Sequence, residues 1–334
     1  MSSERIENAF REYGHDALAV AALDRDYDLF EGAGGSIVPY AKVSRARLAI
    51  TSPLAPIERW PEVASAFVES ASEAGLRAAF FGVERPERFG SGFRSVLIGQ
   101  QPAWDPALWS EVVASDANLR EQLRRAEKKQ VEILRLDPDE LRSDSDRIRQ
   151  WQELVDDWLR SRRMAPMKFV VQPRGLTAPD DRELFLALRN DELLGFLCTS
   201  RLPARNVIAI GDVFRQRLAP NGTIARLHDH AIRRVGELGA ESVTAGLVPL
   251  AGPVHPSLRL ARSLGRPLFD FRGLQTFRSR LRPQRWEPVY LLHPAGSSPV
   301  PAMRDCLRAF AGGSFLRFGV QTIGHRMRRR RSVS

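Results

Sequence analysis

The segment Asp212-Val213-Phe214-Arg215 follows an apolar run, Val207-Ile208-Ala209-Ile210-Gly211, that reads as a strand ending at a loop. Strand ends are common places for site residues. A carboxylate there can orient a nucleophilic hydroxyl or hold a substrate ammonium. A guanidinium there can grip a phosphate through two parallel hydrogen bonds. The alternative is a structural Asp212–Arg215 pair that fixes the loop. A second basic pair, Arg278 and Arg280, flanks Ser279 after Phe277. Read as a strand, alternation puts both arginines on one face, where they suit a phosphate; the alternative is a solvated edge strand.

Other chemistries find less support. His228 and His230 are two apart on one predicted helix and do not share a face. No His, Cys, Asp or Glu spacing suggests a metal site, and no G-x-S-x-G elbow occurs. Cys198 and Cys306 lack motif spacing and read as reduced thiols. The loop Arg217–Thr223 precedes a helix, a place where amides hold pyrophosphate in acyl-CoA enzymes. Of the usual acetyl-CoA pattern only Gly222 is present, and Pro220 has no N–H to donate. Glu287, between Trp286 and Pro288, reads as a structural partner of a nearby arginine, and Trp104, Trp109, Trp151 and Trp158 read as packing residues.

The charge is unevenly spread. The 334 residues carry a formal net charge of +10. Arg259 to Ser334 holds 16 Arg against three acids (Asp270, Glu287 and Asp305), leaving the first 258 residues at −3. Such asymmetry predicts a polyanionic partner, nucleic acid or an anionic membrane. No apolar run is long enough to span a bilayer, and Met1–Phe10 lacks the apolar core of a secretory signal, so a cytoplasmic protein is expected.

The elements that must position these residues alternate. Tyr27–Phe30 and Ser36–Tyr40 read as a hairpin, followed by a strand at Arg47–Thr51, a helix stopped by Gly75 and a strand at Arg77–Val83. The order recurs as a hairpin of Glu183–Arg189 and Leu193–Ser200, a strand at Asn206–Asp212, a helix stopped by Gly239 and a strand at Ser242–Leu247. Between the two lies a helix of charged residues, Leu119–Lys129, with Leu119, Leu123 and Ala126 as its apolar face. The reading is a duplicated α/β unit with an acetyltransferase-like (GNAT) element order. It divides the chain into residues 10–114, a basic linker helix at 115–132, residues 133–303 and a basic amphipathic tail at 304–334. In that tail Gly312-Gly313 predicts a break between two short segments.

Ordered matches along the chain resemble the C-terminal domain of phosphatidylglycerol lysyltransferases. They are Leu119-Arg120, Arg124-Arg125-Ala126, Trp158-Leu159 with Phe169, Asp212 with Arg215, Leu247–Gly252, Phe271–Leu281 and Trp286–Leu291. The resemblance implies two fused acetyltransferase-like domains with mixed sheets, in a form without the family's membrane-embedded half. It implies aminoacyl-tRNA as donor substrate, no separate cofactor, and a lipid hydroxyl as acceptor at the inner membrane face. Asp212 and Arg215 would then be catalytic, and Arg278, Arg280, Gly222 and Phe169 would contact substrate. Before Phe169, where the family often has an acid, stand Pro166, Met167 and Lys168. The tail residues Arg317, Arg326, Arg328, Arg329, Arg330 and Arg331, interleaved with apolar anchors, are expected to meet an anionic membrane or tRNA phosphates. An acyl-CoA-dependent transferase and a non-catalytic tRNA- or membrane-binding module are the alternatives.

Overall fold

A computed structural model describes residues 2–23, 27–162, 165, 167, 169–171, 182–253 and 271–331. After helix α1 (Ser2–Tyr13), the first half runs β1 (Asp28–Glu31), β2 (Ile37–Val43), β3 (Ala46–Ala49), α2 (Trp60–Glu73), β4 (Arg77–Val83) and β5 (Phe93–Trp104). Then come α3 (Trp109–Ser115), α4 (Ala117–Lys128), β6 (Glu132–Leu136), α5 (Pro138–Ser143) and α6 (Ser145–Ser161). The second half runs β7 (Arg182–Arg189), β8 (Glu192–Leu202), β9 (Val207–Arg215), α7 (Thr223–Glu237), β10 (Ser242–Thr244), the short β11 (Val248–Pro249), α8 (Phe271–Ser279) and β12 (Arg285–Pro294). Two helices close the described chain, α9 (Pro299–Phe310) and α10 (Phe315–Arg331).

The repeated element order is present. Each half has an antiparallel hairpin and a third strand that joins a parallel partner through a helix: β3 and β4 through α2, β9 and β10 through α7. Gly75 and Gly239 end those helices at φ +66° and +69°, where a side chain would be strained.

The halves share one mixed sheet, ordered β1-β2-β3-β4-β12-β5-β10-β9-β8-β7-β6. The strand β5, which follows β4, pairs with β10, while β12, the last strand of the second half, pairs with β4. Between them β5 and β12 pair along their whole length, from Ala103 opposite Arg285 to Phe93 opposite Pro294. The last strand of each half therefore completes the other half's sheet. Sequence patterning leaves β5 unmarked because Gly99 and Pro102 interrupt it. Tertiary contacts use both: a Cβ on Gly99 would overlap the Val248 carbonyl of β11, and the Pro102 carbonyl accepts from Thr244 Oγ1.

A buried polar cluster also ties the halves together. Asp16 accepts from Thr51 Oγ1 and from the amides of Ser52 and Glu84. Glu84 accepts from the Ala17 amide and pairs with Arg205, which also lies 3.6 Å from Glu287. Glu287 is thus the structural partner its setting predicts, shared with Arg285 at 3.7 Å. Of the four tryptophans read as packing residues, Trp104, Trp109 and Trp151 are buried.

The tail boundary at residue 304 differs from what is found. In α9 Ala302, Asp305, Cys306 and Ala309 are buried, and Arg77 of β4 donates to the Asp305 carboxylate from Nε and Nη2. The first half's core therefore extends to Phe310, whose ring meets Phe81 and Phe169. The expected break follows, with Gly312 and Gly313 at φ +65° and +92°. Among the described residues, no helix is long and apolar enough to cross a membrane.

Candidate functional site

The site is built around a fault in β9. Thr199 stands opposite Ile210, but Leu197 stands opposite Val213, so Cys198 alone faces both Gly211 and Asp212. This is a β-bulge, and it switches which face each side chain takes. Before it, Ile208 and Ile210 pack in the cluster beneath α7; after it, Val213 takes that side and Phe214 the other. Asp212 shares the Phe214 side, and Arg215 shares the α7 side, where its guanidinium reaches the Ala219 carbonyl at 3.4 Å. Asp212 is half-buried, with its amide 3.2 Å from Cys198 Sγ; Arg215 is exposed. The strand continues through Asp212 instead of ending there, and the two residues project from opposite faces.

Arg278 and Arg280 are not in a strand. They mark the end of α8, with Ser279 its last residue. The overlooked signal is helical: Leu274, Phe277 and Leu281 recur at the i, i+3, i+7 spacing of one helix face. Leu281 is buried, and its carbonyl accepts from Trp104 Nε1 at 2.8 Å. The two arginines consequently diverge, with Arg280 exposed and Arg278 drawn inward.

Arg278 meets a residue that sequence reasoning set aside. Its Nη1 lies 3.2 Å from Nε2 of His228, which is fully buried on α7. His228 Nδ1 lies 2.9 Å from the Ile224 carbonyl. A carbonyl only accepts, so Nδ1 carries the hydrogen and Nε2 presents its lone pair to Arg278. Burial, and then the Arg278 charge, push the imidazole down to about 3, so it is neutral at ordinary pH. Burial also lowers the Arg278 guanidinium to about 10, leaving it charged. Its Nε is buried without a hydrogen-bond partner, and no carboxylate among the described residues pairs with it. Val213, Ile224 and Phe277 pack on one cluster, so β9, α7 and α8 meet beside this cation.

The remaining expectations are placed as follows. Gly222 caps α7 at φ +96°, and a Cβ there would overlap the Gln122 carbonyl of α4. Its role is close helix packing. Phe169 is a core residue, in edge contact with Tyr27, Phe81 and Phe310. Pro166 and Lys168 lie outside the described residues. Arg317 is exposed on α10. The backbone of Arg326, Arg328, Arg329, Arg330 and Arg331 continues that helix without the second break a short segment would need, and their side chains lie outside the described residues. At the exit of β9 a groove of about 790 Å³ is lined by Arg149, Asp157, Arg160, Gln216 and Arg217 among others.

A mixed α/β sheet whose last strands are exchanged between its halves defines the class, an α/β protein; the half-buried Arg278 guanidinium, with no carboxylate partner among the described residues, lies where β9, α7 and α8 meet. The family model described as phosphatidylglycerol lysyltransferase, C-terminal, matches residues 7–293. The chain belongs to that family. The phosphatidylglycerol lysyltransferase of Bacillus subtilis (strain 168) is 22% identical over 307 residues, covering 87% of this chain and 35% of the relative. The chain thus spans about a third of the length of the curated relative it matches. Two solved structures share the fold. The C-terminal domain of a protein assigned as a lysylphosphatidylglycerol synthetase from Agrobacterium fabrum has a TM-score of 0.78 at 21% identity, covering 94% of this chain and 98% of that one. L-PGS from Bacillus licheniformis has a TM-score of 0.76 at 19% identity, covering 92% and 96%.

Proposed function

We propose that this chain is an aminoacyltransferase that moves an amino acid from aminoacyl-tRNA to a hydroxyl of phosphatidylglycerol or a related phospholipid, working at the inner face of the membrane. The observation that carries it is Arg278: a half-buried guanidinium, its Nε buried without a partner and with no carboxylate pairing it among the described residues, is a place for a phosphate. Family membership supplies the acceptor class. In this reading the chain is two acetyltransferase-like units joined by α4, and it needs no separate cofactor.

The reaction is a transesterification. The acceptor oxygen attacks the aminoacyl carbonyl, the ester to the tRNA ribose breaks, and the acceptor's proton ends on the departing ribose oxygen. Arg278 holds the phosphate and Arg280, exposed at the end of α8, faces the tRNA end. Arg215 adds charge on the α7 side for the developing oxyanion. Asp212 lies on the other face of β9, away from this step, and is assigned no proton or ammonium in it. An acyl-CoA donor is disfavoured because the loop that would cradle its pyrophosphate is packed at Gly222 against the α4 backbone.

The test is incubation with a radiolabelled aminoacyl-tRNA pool and phosphatidylglycerol vesicles. Label entering the organic phase, lost in Arg278→Ala, supports the reading; no transfer from any aminoacyl-tRNA overturns it.

A further inference from the structure

Helix α10 lies beyond the residues matched by the family model and has two unlike sides. On one, Thr322 is buried and accepts from the Ala165 amide at 3.3 Å, and the helix rests on α6. On the other, Leu316, Val320 and Ile323 recur at i, i+4, i+7 and are 86%, 71% and 62% exposed. Arg317 stands among them, Arg308 lies 5.9 Å from the Phe315 ring at the bend, and no acid follows Asp305 in the chain.

We propose that this outward face of α10 docks on an anionic phospholipid bilayer, with Leu316, Val320 and Ile323 entering the headgroup–acyl boundary and the arginines holding lipid phosphates. Two other occupants fit less well. A nucleic acid would satisfy the arginines but leave a row of aliphatic side chains in water. A second copy would bring two cationic helices without acids together. A bilayer surface offers anions outside and hydrocarbon beneath, which is the order the helix presents. The inference stands apart from the transfer reaction, because vesicle binding needs no turnover.

The test is flotation of the full chain with phosphatidylglycerol and phosphatidylcholine vesicles at about 0.15 M salt, where weak surface attraction is screened. The wild type should float with phosphatidylglycerol. A Leu316→Ser, Val320→Ser, Ile323→Ser variant should bind these vesicles roughly ten-fold or more weakly while binding tRNA as the wild type does. Because Cys198 and Cys306 are buried, Val320→Cys can carry an environment-sensitive dye selectively. Its emission should shift to the blue with phosphatidylglycerol vesicles and not with tRNA. Wild-type vesicle binding by the triple variant, or a dye that responds to tRNA alone, would overturn the proposal.

Discussion

Arg278 Nη1 sits 3.2 Å from the lone pair of His228 Nε2, a neutral acceptor whose tautomer is set by the Ile224 carbonyl. A neutral partner fixes the direction of a guanidinium without neutralising it, which leaves the charge for a ligand. His228→Leu removes the acceptor and should lower transfer roughly ten-fold, mainly through a raised KM for the lipid, whereas Arg278→Ala should cost about 100-fold. Steady-state kinetics against vesicle concentration separates the two.

The same pair predicts a pH dependence of stability. His228 stays neutral in the folded state down to about 3 but takes up a proton near 6.5 when unfolded. The unfolded chain therefore binds more protons as pH falls through that window, and stability is lost at about 1.4 kcal/mol per pH unit below 6.5. Urea unfolding from pH 7 to pH 5 measures this slope. His228→Gln should flatten it, and an unchanged slope in that variant would assign the effect elsewhere.

Gly222→Ala separates packing from phosphate binding. The new methyl meets the Gln122 carbonyl in a left-handed backbone, so α4 must move away from α7. We expect a loss of about 2 kcal/mol, read as a lower Tm. A variant that keeps its Tm but loses donor affinity would restore a ligand role for this residue.

Asp212 and Arg215 leave β9 on opposite faces, so they should not couple directly. Arg215→Ala should reduce transfer far more than Asp212→Ala, while the stability changes of the double mutant should add within about 0.5 kcal/mol. A coupling well above that would mean a structural ion pair.

Because β5 and β12 are exchanged between the halves, the halves should melt together. Calorimetry should show one transition across both. Arg205→Ala, which leaves Glu84 buried beside Asp16 without its cation, should lower that transition by about 3 kcal/mol. Two separate transitions would show that the exchange does not couple them.

Much of this was legible in residue order. The two hairpins, the two crossover helices with their terminal glycines, the apolar face of α4 and the break at Gly312-Gly313 all follow from periodicity and backbone restriction. The site was only half legible. Asp212, Arg215 and Arg278 stood out by type and position, but His228 did not, because a lone histidine on an apolar helix face carries no spacing signal. The α8 arginines were misplaced because Phe271–Leu281 fits period 2 near Arg278 and a helical period only when Leu274 and Leu281 are weighed together.

The sequence by itself determined the local elements, the family and the concentration of cations in the last quarter of the chain, since these depend on neighbours within a few residues. Only the tertiary structure decided which half each of β5 and β12 completes, since Gly99 and Pro102 make sense only against β11 and β10. It also decided that a bulge opposite Cys198 turns Asp212 away from Arg215. And it divided the basic end of the chain: Arg278 was drawn inward and kept its charge beside His228, while Arg317 stayed in solvent among exposed aliphatic residues. Burial is set by distant parts of the chain, so equal residues in one basic run came to hold unequal roles.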